Sequence, residues 1–329
     1  MRVRGLMLSA VAFVGTMLLC GTVSGQPGMQ ADAELAAIDP ITGAIPVVEK
    51  DTVPLPPLGV YARENIFQKI RPVPYPFVRE ADVLWSKILW RTIDLRQKLN
   101  YPLYFPTVRM RDRKSITQAL YDAIQEGEIH AYDPDPSLTS PGDEFVARIT
   151  PTEARERLSG PDRVQRQVSM TTGRDTSWVV PAEIHWDEVK QLIVKEEWYF
   201  DTRLSMLQVR IIGICPVREY YESVEGMEEG GEEAVGGELK RKMAFWVYYP
   251  EARHTLEKVA LFNPRNDAQV VSFDDLFFSR RFGSYIIRES NEYNNRSISS
   301  YKVGGVPNMQ ESDRIHNEMF NKEHDLWEF

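Results

Sequence analysis

Cysteine is nearly missing: the 329 residues include two, too few for a disulfide-dense scaffold. Cations are in deficit, with 39 Lys plus Arg against 48 Asp plus Glu and a formal net charge of −9. An acidic chain has no general attraction for nucleic acid or anionic lipid, so neither is expected as a partner. The usual signatures of chemistry are lacking as well. There is no G-x-S-x-G, no G-x-x-x-x-G-K-[ST] and no H-E-x-x-H. No two of His130, His185, His254, His316 and His324 are four residues apart. His316 and His324 could share a helix face, but a metal there would need two further ligands. The sequence therefore predicts no catalytic residue, no metal and no cofactor. No internal repeat is visible, and past the first segment no apolar run approaches the roughly 20 residues that cross a bilayer. Direct membrane insertion is not expected.

What is present has an ordinary globular composition: 43% hydrophobic, 11% aromatic and 26% charged. The length suggests about two domains, or one elaborated domain. Residues 1–25 read as a signal peptide. Arg2 and Arg4 form a basic start, Leu6 to Leu19 an apolar stretch, and Val23-Ser24-Gly25 a small-residue cleavage site. Cys20 leaves lipidation open as a second reading, against which the preceding Leu18-Leu19 count, because a lipobox has a small residue there. Cys215, inside Ile211-Ile212-Gly213-Ile214-Cys215, reads as a buried small hydrophobe.

Residues 26–77 are rich in proline, which blocks helices and central strands and favours extended geometry. They form a mobile leader or an arm laid on another surface. Tyr61, Ile66, Phe67, Tyr75 and Phe77 favour an arm for the second half, because a solvated leader has no use for them. A helical lead is expected over 78–110, with Leu84, Trp85, Ile88, Leu89 and Ile93 at spacings of three to four. Trp85 reads as core or as a helix-docking surface.

An α+β core follows over 111–329. Ser115 caps a helix over Ile116–Glu126 that Gly127 stops, and Thr150-Pro151-Thr152-Glu153 starts another. Antiparallel strands are expected from Val189 to Phe200, from Met206 to Val217 and from Lys242 to Tyr249. Ser272-Phe273-Asp274-Asp275 caps a helix to about Arg281, and Ser312–Lys322 is helical. Residues 222–238 hold seven glutamates and five glycines and read as a solvated loop, either an inconsequential insertion or a charged contact to a partner. The fold class is thus α+β: an antiparallel sheet with flanking helices, preceded by an extended proline-rich N-terminal arm.

His185-Trp186-Asp187-Glu188 could form an acid–base pair on paper, but surface charge accounts for it equally. Aromatics and arginines such as Trp198, Arg210, Trp246, Arg253, Arg280, Arg281 and Phe282 have the composition of interaction hot spots. They point to an interaction protein. An exported enzyme with an unrecognised site, or a small-ligand-binding module, remains the alternative.

The second half of the chain resembles the GldN/PorN family. The residues that carry the likeness are Val194-Lys195-Glu196-Glu197-Trp198-Tyr199-Phe200-Asp201, Val209 through Pro216, Trp246-Val247-Tyr248-Tyr249-Pro250, Arg253, Leu256, Phe273-Asp274-Asp275-Leu276-Phe277, Arg280-Arg281-Phe282, Glu289-Ser290-Asn291 and Trp327. The resemblance implies a structural part of the type IX secretion and gliding machinery, not an enzyme. It implies a periplasmic ring of many copies, attached to the outer membrane through a GldK/PorK-type lipoprotein and touching the periplasmic part of a GldM/PorM-type motor protein. Tyr61, Ile66, Phe67, Tyr75, Phe77, Trp85, Arg280 and Arg281 are the candidate partner-interface residues. Residues 222–238 match nothing in the family pattern.

Overall fold

The computed structural model describes residues 71–327 apart from 112, 136–143, 161–162, 169–174, 181, 222–238, 264–265 and 267–268. The expected signal peptide, most of the proline-rich arm and the glutamate-rich segment lie outside the described residues.

The centre is an antiparallel sheet. Its long strands are β1 (Val83–Asp94), β6 (Val189–Asp201) and β7 (Met206–Tyr221). Short strands complete it: β2 (Ala131–Tyr132), β3 (Arg148–Ile149), β8 (Leu239–Met243), β9 (Trp246–Tyr248) and β12 (Tyr285–Glu289). The order is β12-β1-β6-β7-β9-β2-β3, with β8 also pairing β7. Two small hairpins stand apart, β4 (Arg163–Val168) with β5 (Asp175–Val180) and β10 (Ala260–Leu261) with β11 (Val271–Ser272). The α+β class with an antiparallel sheet and flanking helices is as the sequence predicts.

The helical lead expected over 78–110 is instead strand β1, preceded by a single 3-10 turn at Glu80–Asp82 and followed by the four-residue α1 (Tyr101–Tyr104). The misreading has a clear cause. Trp85, Leu89 and Ile93 recur every four residues, and four is an even number, so they share one side of a strand as well as one side of a helix. Leu89 and Ile93 go to the clusters that helices cover, while Ile88 and Trp90 enter a separate aromatic cluster. β1 is paired on both edges, with Leu89 opposite Glu196 of β6 and opposite Glu289 of β12. A strand buried on both sides loses the polar alternation that identifies a half-exposed one.

The β6–β7 pairing changes register between Lys195, opposite Gly213, and Glu196, opposite Ile211, so Ile212 is the extra residue of a bulge. Gly213 is required there: a Cβ would stand 2.5 Å from the Phe145 ring and 3.0 Å from the Val247 carbonyl. The third expected strand is broken. β8 and β9 flank Ala244 and Phe245, both fully buried, and Tyr249 opens α4 (Tyr249–Glu257) rather than ending a strand. Pro250 explains the switch, since proline at the first turn of a helix costs no hydrogen bond.

Four helices cover the main core: α2 (Ile116–Glu126), α3 (Pro151–Ser159), α4 and α5 (Phe273–Phe278). Ser115, Thr150 and Ser272 each cap through a side chain bonded to the backbone of the third residue on, reciprocated by Gln118, Glu153 and Asp275. α2 buries Ile116, Leu120 and Ile124 as its spacing predicts, and Gly127 closes it at φ 74°. α6 (Gly305–Trp327) is longer than its expected span and covers β1 and β12 with Ile315 and Met319.

Candidate interaction site

Residues 71–79 have no regular secondary structure. Pro72, Pro74 and Pro76 lack amide donors, so this stretch cannot join a ladder. It is held from outside by arginines. Arg210 of β7 donates to the Pro76 carbonyl, and Arg203 of the β6–β7 turn donates to the Phe77 carbonyl at 3.0 Å. The described end of the arm therefore lies on its own chain.

Tyr75 is the side chain that anchors it. Its ring sits 4.2 Å from the guanidinium carbon of Arg253 and 5.2 Å from that of Arg210, and stacks on Phe278 at 6.3 Å. Arg253 projects from α4 and is itself buried, as is its partner Asp274 in the first turn of α5. The two form a bidentate pair at 2.9 and 2.8 Å, and the Tyr249 hydroxyl donates to the same carboxylate at 2.7 Å. Tyr249 and Arg253 are four apart on one helix, which places both over Asp274. Asp274 is also favoured by the positive end of α5. Burial pushes the Tyr75 phenol up; Arg253 draws it back and Asp274 adds to the rise. The Tyr249 phenol is driven well above its ordinary value by burial first and by Asp274 second.

Beside this clamp lies an apolar tip. Arg203 binds Asp82 at 3.2 Å, Asp201 at 3.2 Å and the Phe77 carbonyl, which gathers the arm, the start of β1 and the β6–β7 turn. The large side chains there face water: Phe77 is 80% exposed, Leu84 62%, Leu204 50% and Met206 42%. Composition signals gave no hint of Leu84, Leu204 and Met206, because an exposed apolar residue looks like a core residue until the fold is known.

The other expected interface residues are placed as follows. Tyr61, Ile66 and Phe67 lie outside the described residues. Trp85 is half-buried against Leu89, Ile315 and Met319 in the cluster under α6. Arg280, at φ 52°, is engaged internally: its guanidinium donates to fully buried Glu196 at 3.0 Å and lies 5.3 Å from the Trp198 ring. Trp198 donates its indole N–H to the same carboxylate at 3.1 Å. Arg281 is exposed. Phe77 is thus the expected residue that lies in the open tip, while Tyr75 is its internal anchor.

Cys215 is fully buried and burial pushes its thiol far above the ordinary range, which disfavours the reactive thiolate. Among the described residues no group of three or more His, Cys, Asp or Glu is placed to hold a metal, and no helix is long and apolar enough to cross a membrane.

A search among curated proteins finds no match to the chain. The family model described as "Gliding motility associated protein GldN" matches residues 78–328, which takes in β1, the whole sheet, the Arg253–Asp274 clamp and α6. That span covers most of the chain, and the family is one of gliding motility and type IX secretion components rather than a known enzyme family. The chain belongs to the GldN family.

Proposed function

We propose that this chain is a structural, non-enzymatic subunit of a periplasmic ring in the type IX secretion and gliding machinery. In this reading it assembles with further copies of itself and with an outer-membrane lipoprotein of the GldK/PorK type. It also contacts the periplasmic part of a GldM/PorM-type motor protein, and its attachment to the outer membrane comes from the lipoprotein. Family membership supports the machinery. The basic and apolar start of the sequence supports export.

The observation that carries the assembly role is the tip formed by Phe77, Leu84, Leu204 and Met206. Single exposed apolar side chains are ordinary, but several at one end of a sheet are what an interaction surface presents. The arm that leads into the tip is anchored by Tyr75, which reduces the chain entropy that docking would cost. Native-mass measurement of membrane-extracted complexes tests this. The wild-type chain is expected in a high-order species with a lipoprotein and a motor protein, and a Phe77→Ser/Leu84→Ser variant in a single-copy species. Recovery of the wild-type chain as a lone particle would overturn the reading.

A further inference from the structure

The charge of this acidic chain is unevenly spread. Residues 98–114 hold Lys98, Arg109, Arg111, Arg113 and Lys114 against one carboxylate, Asp112, a net +4; residues 222–238 hold seven glutamates and no cation, a net −7. The described part of the basic run forms a ledge between β1 and α2. It is fastened where the Tyr104 hydroxyl donates to the Asp187 carbonyl at 3.0 Å and where the Arg109 guanidinium lies 5.6 Å from the Trp186 ring. Asp122 of α2 serves two cations at once, Arg109 at 2.6 Å and Lys114 at 2.7 Å, so these three groups together keep a positive charge. Outward from this base stand large apolar side chains: Val108 is 72% exposed, Leu99 60%, and Phe105 and Met110 48% each.

We propose that this ledge is a docking surface for a second copy of the chain, and that the docking segment is the glutamate-rich stretch 222–238 of that copy. The inference rests on the self-assembly reading above and names a contact for it. Arginine beside exposed apolar and aromatic groups is the composition of an interface centre. Two copies of a chain with net charge −9 repel each other over most orientations. The approach of a −7 segment to this net-positive ledge is the orientation in which the field attracts. The two surfaces differ, so the contact is heterologous, and repeated head-to-tail it builds a closed ring or an open filament. Val224, Met227 and Val235 give the acidic stretch apolar groups of its own to set against Val108 and Phe105.

The test uses two full-length variants, with the dimer of the mixture serving as the check that both fold. One has a neutralised ledge, Lys98→Glu/Arg111→Glu. The other has a reversed segment, Glu228→Lys/Glu229→Lys/Glu232→Lys/Glu233→Lys. Sedimentation velocity at low salt should show wild-type self-association and a loss of about tenfold or more in each variant alone. An equimolar mixture should form one-to-one dimers, because the intact ledge of one variant meets the intact segment of the other; raised salt should dissolve them. The dimer itself shows that both variants are folded. If both variants associate like the wild type, the contact is elsewhere and the inference fails while the self-assembly reading stands. If the mixture stays monomeric, the acidic stretch answers its own ledge or none, and the inference fails. If the ledge variant loses only binding to vesicles of anionic lipid, the surface is a lipid site and the inference fails. Wild-type chain that never self-associates, alone or in extracted complexes, would sink the assembly reading itself.

Discussion

The Tyr75 ring lies 4.2 Å from the guanidinium carbon of Arg253, and Arg253 is already held by both oxygens of Asp274. The phenol ring therefore covers a cation that already donates two in-plane N–H groups to a carboxylate, using the face that the carboxylate leaves open. A guanidinium presents its edge to carboxylates and its face to aromatics, so the two contacts do not compete. Through this stack, the last residues before β1 are tied to helices far along the sequence, α4 and α5. The tie fixes where Phe77 points its side chain into solvent.

Removing the Tyr75 ring should loosen the arm and cost modest stability. Tyr75→Ala is expected to destabilise by about 1–2 kcal/mol, from the lost cation–π contact and the lost burial against Phe278. Tyr75→Phe keeps the ring and should stay within about 0.5 kcal/mol. Urea denaturation gives both values, and limited proteolysis should cut residues 71–79 faster in the alanine variant alone. Equal cleavage of the two variants would mean that the ring does not hold the arm.

Asp122 predicts an acid-sensitive stability. Burial raises its carboxyl, but the hydrogen bonds and charges of Lys114 and Arg109 outweigh that and hold it below its ordinary value. The folded value is then lower than the unfolded value of about 3.9, so the group stabilises the fold fully above that pH. The contribution fades as pH falls through the folded value. After allowance for solvent screening, Asp122→Asn should cost about 0.5–1 kcal/mol at neutral pH and nothing in strong acid. Chemical denaturation of both proteins at several pH values checks the sign. A gap that widens on acidification contradicts it.

At the β-bulge, Gly213→Ala should be damaging out of proportion to one methyl group. The new Cβ meets the Phe145 ring at 2.5 Å and the Val247 carbonyl at 3.0 Å. Overpacking of this kind costs about 1–3 kcal/mol. Phe145→Ala removes the first clash but not the second and is costly by itself, so thermal denaturation should show partial rescue of the glycine substitution when it is measured against Phe145→Ala alone. Full rescue would mean that the backbone contact is not tight.

The caps were legible in the sequence because capping is local chemistry. Ser115 with Gln118, Thr150 with Glu153 and Ser272 with Asp275 each work within three residues, so no knowledge of the rest of the fold is needed. β1 was not legible as a strand, because its partners β6 and β12 begin about one hundred and two hundred residues later and bury both of its sides. The interface residues divide the same way. Aromatics and arginines could be named as a class, but Arg280 and Trp198 close internally on buried Glu196, whereas Leu84 and Leu204 are left outside.

By itself the sequence determined the acidic balance, the proline-rich approach to the sheet, the three capped helix starts, the antiparallel class and the family likeness. Each of these depends on composition, on neighbours within a few residues or on motif order. The tertiary structure decided that residues 83–94 are a central strand, that Tyr75 anchors on Arg253, and that Phe77, Leu84, Leu204 and Met206 are left in water at one end of the sheet. Those outcomes depend on which distant side chains arrive at the same place. Burial and charge pairing are properties of that meeting, and no single stretch of chain carries them.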